Sequence, residues 1–423
     1  VNPFDEANEA LVAERNSYSG IAKHPDTSEQ FGRFYQLFGP WLARTGSIMA
    51  EPPTWPDTDK PRVGFVMDNA TGIAHGANLF ELLKALEQHP QPIEPVVFSK
   101  EAADDKFKSN LSGAEYHCFG SQTEAKCWLQ LRTLANRLDI TALVWVSIVP
   151  GLIFSNFIKA APVVIWWSQK WHTLHCKDIG LIDTTHPFWP TQELAGQEWR
   201  SARLSLPRLL DVTRRAEAEK IRNELAYQTV FGWFGREEKL FDPYFADSVV
   251  QILKANENSC FLWTSRSEHG FGEYLDQHVP GRHRCLGWVD CSLWSMVVDV
   301  GLDTFPFGMG HTAFQLWEAD KPVIGVANEN PGALNTMYQL VEEGPDDLKA
   351  EAAELISVKP YTETIVDFIE LAGQLHNDRS LQKQMGTEGR LFIETFLRDR
   401  KAYAETMSTA ILEIIEEKRT DGD

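Results

Sequence analysis

The chain has 423 residues, 43% of them hydrophobic and 24% charged, so it is too long for one ordinary domain and too apolar to be disordered. Its formal charge of −20, from 60 acidic and 40 basic residues, excludes the basic field that nucleic acid or an anionic membrane requires, while leaving room for a local phosphate pocket. The longest apolar runs, "ALVWVSIVPGLIF" and "APVVIWW", fall short of a membrane span, and the six cysteines show no CxxC or CxxH spacing that would nominate zinc.

In chain order, residues 1 to about 50 carry apolar residues at helical spacing, and the proline-rich "AEPPTWPDTDKP" reads as a linker. "RVGFVM" is a short buried strand, "DNATGIAHGAN" a turn, and "LFELLKALEQH" an amphipathic helix with Leu79, Leu82, Leu83 and Leu86 on one side. Strand "IEPVVFSK", helix "AKCWLQLRTLANRL", strand "ITALVWVSI", helix "IFSNFIKAA" and strand "PVVIWWSQ" follow. This rhythm is that of a parallel, doubly wound sheet. After a less regular stretch the pattern restarts: "TVFGWF", "SCFLWTS", "HRCLGWV", "VGLDTF" and "PVIGV" read as strands, with helices "PYFADSVVQILKA", "SLWSMV" and "AFQLWEA" among them. Two sheets of one kind imply two lobes with a cleft between their strand ends. The expected division is a helical segment and linker over 1–60, a first lobe over 61–225, a second over 226–375, and closing helices over 376–423.

Four stretches carry residues that could do chemistry. In "FGREEKLFDP", Arg236 and Lys239 either pair with neighbouring acids on a solvated face or point together into the crevice from a strand's carboxyl end. "GMGHT" is either an ordinary tight turn or an anion site. In the second case Gly308 and Gly310 adopt positive φ and bring backbone N–H groups close to a ligand, Thr312 donates a hydroxyl, and the following helix offers its N-terminus. His75, in "GIAHGAN", is a surface-loop histidine or a base. In "WWSQKWHTLHCKD", Trp166, Trp167 and Trp171 either pack a core or offer flat faces for a sugar ring or a base, with Gln169, Lys170, His172 and His175 supplying polar contacts. No metal site is expected there, because no helical i, i+4 histidine pair or acidic partner accompanies the histidines.

The stretches "APVVIWWSQKWHTLHCKDIGLID", "FGREEKLFDP" and "DVGLDTFPFGMGHTAFQLWEADKPVIGV", in that order, make the sequence resemble the O-linked N-acetylglucosamine transferase family and its bacterial relatives, the cytoplasmic adhesin N-glycosyltransferases. The resemblance runs from about Arg62 to the C-terminus and is most specific at "LDTFPFGMGHT" and the lysine before "LFDP". It implies a GT-B fold of two Rossmann-like lobes, the second holding the donor, with final helices returning to the first. It also implies inverting, metal-independent transfer of a hexose or N-acetylhexosamine from a UDP-sugar to a protein or peptide. By position, Lys239 resembles the lysine that neutralises the donor diphosphate, with Arg236 beside it. His311 and Thr312 resemble the pair that contacts diphosphate and sugar, and His75 a first-lobe histidine of the active site. Gln315 stands where relatives place an acidic ribose-binding residue, and Ala313 replaces a second threonine. Trp288 and Trp294 are the candidates to stack on the nucleotide base. No cofactor, nucleic-acid partner or membrane span is expected. The start of the chain lacks the pattern of an export signal, so a cytoplasmic location is expected. Two competing functions fit the same fold, a sugar-nucleotide epimerase and a degenerate, non-catalytic binding module.

Overall fold

The computed structural model describes residues 53–70, 75–120, 124–146, 150–169, 179–184, 188, 191–194, 197–235, 237–240, 242–266, 270–305, 308–327 and 332–420. The helical segment expected over 1–50 lies outside them. Two units emerge, one ending at Pro207 and resuming at Asp399, the other spanning Arg208–Arg398.

In the first unit the continuous apolar runs become strands covered on both faces, as a parallel sheet requires. The elements are β1 (Arg62–Met67), α1 (His75–Gln88), β2 (Glu94–Ser99), α2 (Asp105–Lys108), β3 (Glu115–Cys118), α3 (Glu124–Arg137), β4 (Ile140–Trp145), α4 (Pro150–Phe157), β5 (Val163–Ser168), β6 (Gly180–Asp183), β7 (Thr191–Leu194) and β8 (Gln197–Ser201). Their order in the sheet is β3-β2-β1-β4-β5-β6-β8-β7, and only β7 runs antiparallel to its neighbour. One face packs Trp145, Trp166 and Trp199 together, and the other packs Trp167, α1 and the terminal helix Arg400–Thr420. That helix is held by polar contacts as well. Tyr403 is wholly buried and donates its hydroxyl to the Asn78 carbonyl at 3.1 Å, while Arg400 meets the buried Glu81 carboxylate at 2.8 Å.

The second unit contains α5 (Arg215–Glu224), β9 (Thr229–Trp233), α6 (Pro243–Ala255), β10 (Ser259–Trp263), α7 (Gly270–His278), β11 (His283–Cys285), α8 (Cys291–Val297), β12 (Val300–Leu302), α9 (His311–Glu318), β13 (Val323–Val326), α10 (Ala333–Tyr338), α11 (Asp346–Leu355), β14 (Tyr361–Thr362), α12 (Ile365–Asn377) and α13 (Arg379–Phe396). Its six strands run in the order β11-β10-β9-β12-β13-β14, with all neighbours parallel. The chain therefore reverses direction across the sheet between β9 and β12, as it does between β1 and β4 in the first unit. In such sheets ligands bind beyond the carboxyl ends of the strands at that reversal.

Two boundaries differ from those expected. The first unit ends near 207 instead of 225, so α5 belongs to the second unit. The closing helices also divide: α13 stays with the second unit and only Arg400–Thr420 joins the first. The reason lies in the small residues of "MGTEGR". A Cβ on Gly386 would stand 2.0 Å from the Asp320 carbonyl oxygen, and one on Gly389 would stand 2.3 Å from the Trp317 ring, so α13 presses its backbone against the end of α9. Gly386→Ala should consequently destabilise the second unit by about 1–3 kcal/mol, the cost of overpacking. In an unpacked helix the same change would gain about 1 kcal/mol. Urea unfolding reads the sign, and a gain would show that α13 is free to move outward.

Candidate functional site

The reversal between β9 and β12 brings Lys239 to the glycine loop and the start of α9. Beyond β9 the chain makes a short 3-10 turn, Glu237–Leu240, which carries Lys239. Beyond β12 it runs from Asp303 through the glycine loop to His311, where α9 begins. The half-buried Lys239 donates from Nζ to the Gly308 carbonyl, so its ammonium lies at the glycine loop and away from a solvated face. The turn is fixed from below: the Thr264 hydroxyl, past β10, bonds both the amide and the carbonyl of Gly235 at 2.9 Å. Arg236 lies outside the described residues.

The glycines of the loop serve a different purpose from the one expected. Gly310 has φ −100°, outside the positive region. Gly308 is needed for close approach: a Cβ there would sit 2.9 Å from Asp303 Oδ2 and 3.3 Å from the Gly332 Cα. Gly310 is exposed, and a Cβ on it would meet nothing within 4 Å, so the start of α9 stands open. His311 opens α9 half-buried, its ring 6.5 Å from that of Phe314.

Asp303 is not among the sequence candidates, since a lone acid after the apolar run "VGL" reads as the start of a turn. It is buried, and its Oδ1 accepts the Met309 N–H. Burial pushes its carboxyl up to about 7, against the opposing pull of the Met309 amide, the Lys239 ammonium and the Thr304 amide. A buried, perturbed carboxyl beside a lysine at a strand end is the environment in which functional groups are found.

The remaining polar side chains of α9 are engaged within the protein. The Thr312 hydroxyl donates to the Phe234 carbonyl at 2.7 Å, so it satisfies the last carbonyl after β9 and ties α9 to that strand. Gln315 turns its amide to the Leu209 carbonyl at 3.2 Å, securing the stretch by which the chain enters this unit. Ala313 is buried. Of the two aromatic candidates for a base, Trp294 is half-buried in α8, whereas Trp288 is 63% exposed with the Arg266 guanidinium 4.8 Å above its ring.

In the first unit, Trp167 is a correction. It is wholly buried in β5, its indole N–H on the Thr184 hydroxyl at 3.1 Å and its ring edge-on to Tyr403, so it packs the core and offers no face to a sugar; Trp166 is buried likewise on the opposite face. Gln169, just past β5, is half-buried and accepts from Asn78 Nδ2 at 2.8 Å. His75 begins α1, one turn before Asn78, and both stand beyond the carboxyl end of β1. Lys170 and His172 lie outside the described residues. Among the described residues no group of three or more His, Cys, Asp or Glu could hold a metal ion, and no helix is long and apolar enough to cross a membrane.

No protein-family model and no curated protein matches the chain. Solved structures do. A mutant O-GlcNAc transferase of Thermobaculum terrenum superposes with a TM-score of 0.64 over 92% of this chain and 75% of its own, at 17% identity. HepE of Anabaena, solved with UDP and glucose, gives 0.54 over 83% of this chain and 99% of its own, at 11% identity. A glycosyltransferase of Rickettsia africae gives 0.52 over 85% and 99%, at 12% identity. The fold is GT-B. At these identities the likeness is one of architecture, and it makes the two parallel sheets the two Rossmann-like lobes of that fold. Within the GT-B chain, Lys239, Asp303 and the 308–312 loop occupy the strand-order reversal of the second lobe.

Proposed function

We propose that this chain is an inverting, metal-independent glycosyltransferase that moves a hexose or N-acetylhexosamine from a UDP-sugar to a protein or peptide acceptor. The observation that carries the reading is the Lys239 ammonium held on the Gly308 carbonyl, at the order reversal of a GT-B lobe and beside the open start of α9. Departure of a nucleoside diphosphate leaves growing negative charge on its terminal phosphate. A pre-placed ammonium, the amides about Gly310 and the N-terminal end of α9 would stabilise that charge as it develops. Fixed positive charge of this kind takes the place that a divalent cation fills elsewhere. A single displacement by the acceptor inverts the anomeric centre. His75 is the candidate base for a hydroxyl acceptor; an amide acceptor would need a different activation. The solved neighbours that include an O-GlcNAc transferase and a UDP- and glucose-bound HepE support the donor class.

A nucleotide-sugar-binding module without catalysis is the second reading, favoured by the engagement of the Thr312 hydroxyl and the Gln315 amide within the protein. One experiment addresses both. Thermal melting in EDTA against UDP-glucose, UDP-N-acetylglucosamine and other nucleotide sugars should give a rise of about 5 °C for the true donor at 100-fold excess over Kd. Incubation of that donor with peptides, also in EDTA, should then give transfer or slow hydrolysis. Absence of any shift would remove the donor assignment, and activity lost in EDTA would remove metal independence. Turnover at any rate would reject the binding module.

A further inference from the structure

The buried acid beneath the glycine loop has a role that the phosphate chemistry alone does not require. Asp303 follows β12 and is enclosed by backbone: a Cβ on Gly308 would meet its Oδ2 at 2.9 Å, and one on Gly325 of β13 would meet its own Cβ at 2.9 Å. Its Oδ1 takes the Met309 amide, and Gly308, whose carbonyl receives the Lys239 ammonium, is the adjoining residue. The same short loop is therefore pinned by a carboxylate on one side and an ammonium on the other.

We propose that Asp303 is a positioning residue of the phosphate site, holding the glycine loop against β12 and sharing the Lys239 ammonium, so that an arriving diphosphate takes over the ammonium and a proton passes from solvent to Asp303. The inference rests on the reading of Lys239 as the residue that meets the donor diphosphate. Lys239 is the charged side chain that acts on Asp303 among the described residues; the loop contributes the Met309 amide and β13 contributes Gly325, neither of them charged. A buried carboxylate loses its compensation when its ammonium turns to a phosphate, and the new negative charge also repels it. Both effects favour the protonated acid. Because ligand raises the affinity of Asp303 for its proton, diphosphate binds more tightly at low pH and weakens as pH rises through and above neutrality. The slope is at most about tenfold per pH unit.

The experiment uses the full chain and inorganic pyrophosphate, titrated calorimetrically at pH 8 in two buffers of different ionisation enthalpy, which counts protons taken up per ligand. Asp303→Asn preserves side-chain volume and the acceptor for the Met309 amide but cannot take the proton. Wild type should take up about half a proton more than Asp303→Asn, and the variant's affinity should lose less between pH 6.5 and pH 8. Equal proton counts overturn the proposal. Should the variant fail to fold, carboxyl-13C aspartate labelling of the wild type gives the same answer: one carboxyl should titrate near neutrality and become protonated on adding pyrophosphate at pH 8, and a set of unmoved carboxyls overturns it. Pyrophosphate binding with the proton difference but without sugar transfer would sustain this inference and remove the proposed function. Absence of pyrophosphate binding would overturn both.

Discussion

Lys239→Ala is expected to lower kcat/KM for the sugar nucleotide by about 100- to 1000-fold, the range seen when a single pre-placed donor to a developing anion is removed. The fold should survive. Lys239 is half-buried, and the Gly308 carbonyl it serves would lose one partner, a cost of about 1–2 kcal/mol. By contrast, a unit charge about 4 Å from a phosphate oxygen is worth roughly 4 kcal/mol at the effective dielectric of a partly buried site. The effect on rate should thus exceed the effect on stability. Lys239→Met keeps the apolar stem and separates packing from charge. Lys239→Arg should recover little, since a planar fork cannot replace a compact ammonium in the space beside Gly308. Separate kcat and KM values locate the loss: equal falls in kcat and kcat/KM mean that the ammonium acts chiefly in the transition state. A Lys239→Ala protein that keeps more than about a tenth of wild-type kcat/KM would remove Lys239 from the machinery.

The parts of this molecule that are legible in sequence are those where burial on both faces leaves no choice. "GFVM", "TALVW", "VFGW" and "CFLW" are continuous apolar runs and form the central strands β1, β4, β9 and β10. Other strands carry a weaker pattern. β3 is "EYHC", exposed at both ends, and β6 to β8 lie in a stretch broken by glycine and charged residues, so neither shows in the sequence. The same physics explains why Trp167 misleads. A cluster of tryptophans suggests a ligand platform only if one face is free, and in a doubly covered sheet Trp166 and Trp167 point to opposite faces that are both filled. Lys239 is legible as a candidate because it follows the carboxyl end of a central strand, where ligands bind in sheets of this order. Asp303 escapes notice because a lone acid after an apolar run looks like the start of a turn. Its meaning comes from what the fold packs above it, and the positions of Gly308 and Gly325 record that packing only in three dimensions.

Glu318→Ala should produce the largest loss of stability, about 3–5 kcal/mol in the unfolding of the second unit. The carboxylate closes α9 at its C-terminal end, where the helix dipole disfavours negative charge, and its side chain is only 7% exposed. Such a charge persists because everything around it donates. The Leu209 and Leu210 amides reach it at 3.0 and 2.6 Å, and Arg398 pairs with it. The stretch by which the chain enters the unit and the residue by which it leaves are thereby fastened to one side chain, with Gln315 one turn earlier securing the Leu209 carbonyl. Alanine would strand two amides and take this carboxylate from a guanidinium that is itself only 16% exposed. Glu318→Gln should restore little, because its amide NH2 opposes donors. Truncating Arg398 as well should recover the part of the loss owed to the broken ion pair, though not the part owed to the two amides. A double-mutant cycle on Glu318 and Arg398, followed by denaturant unfolding, separates those shares. A loss below about 1 kcal/mol for Glu318→Ala would mean that the amides and the guanidinium find water or other partners, and that this carboxylate does not hold the two ends of the unit to α9.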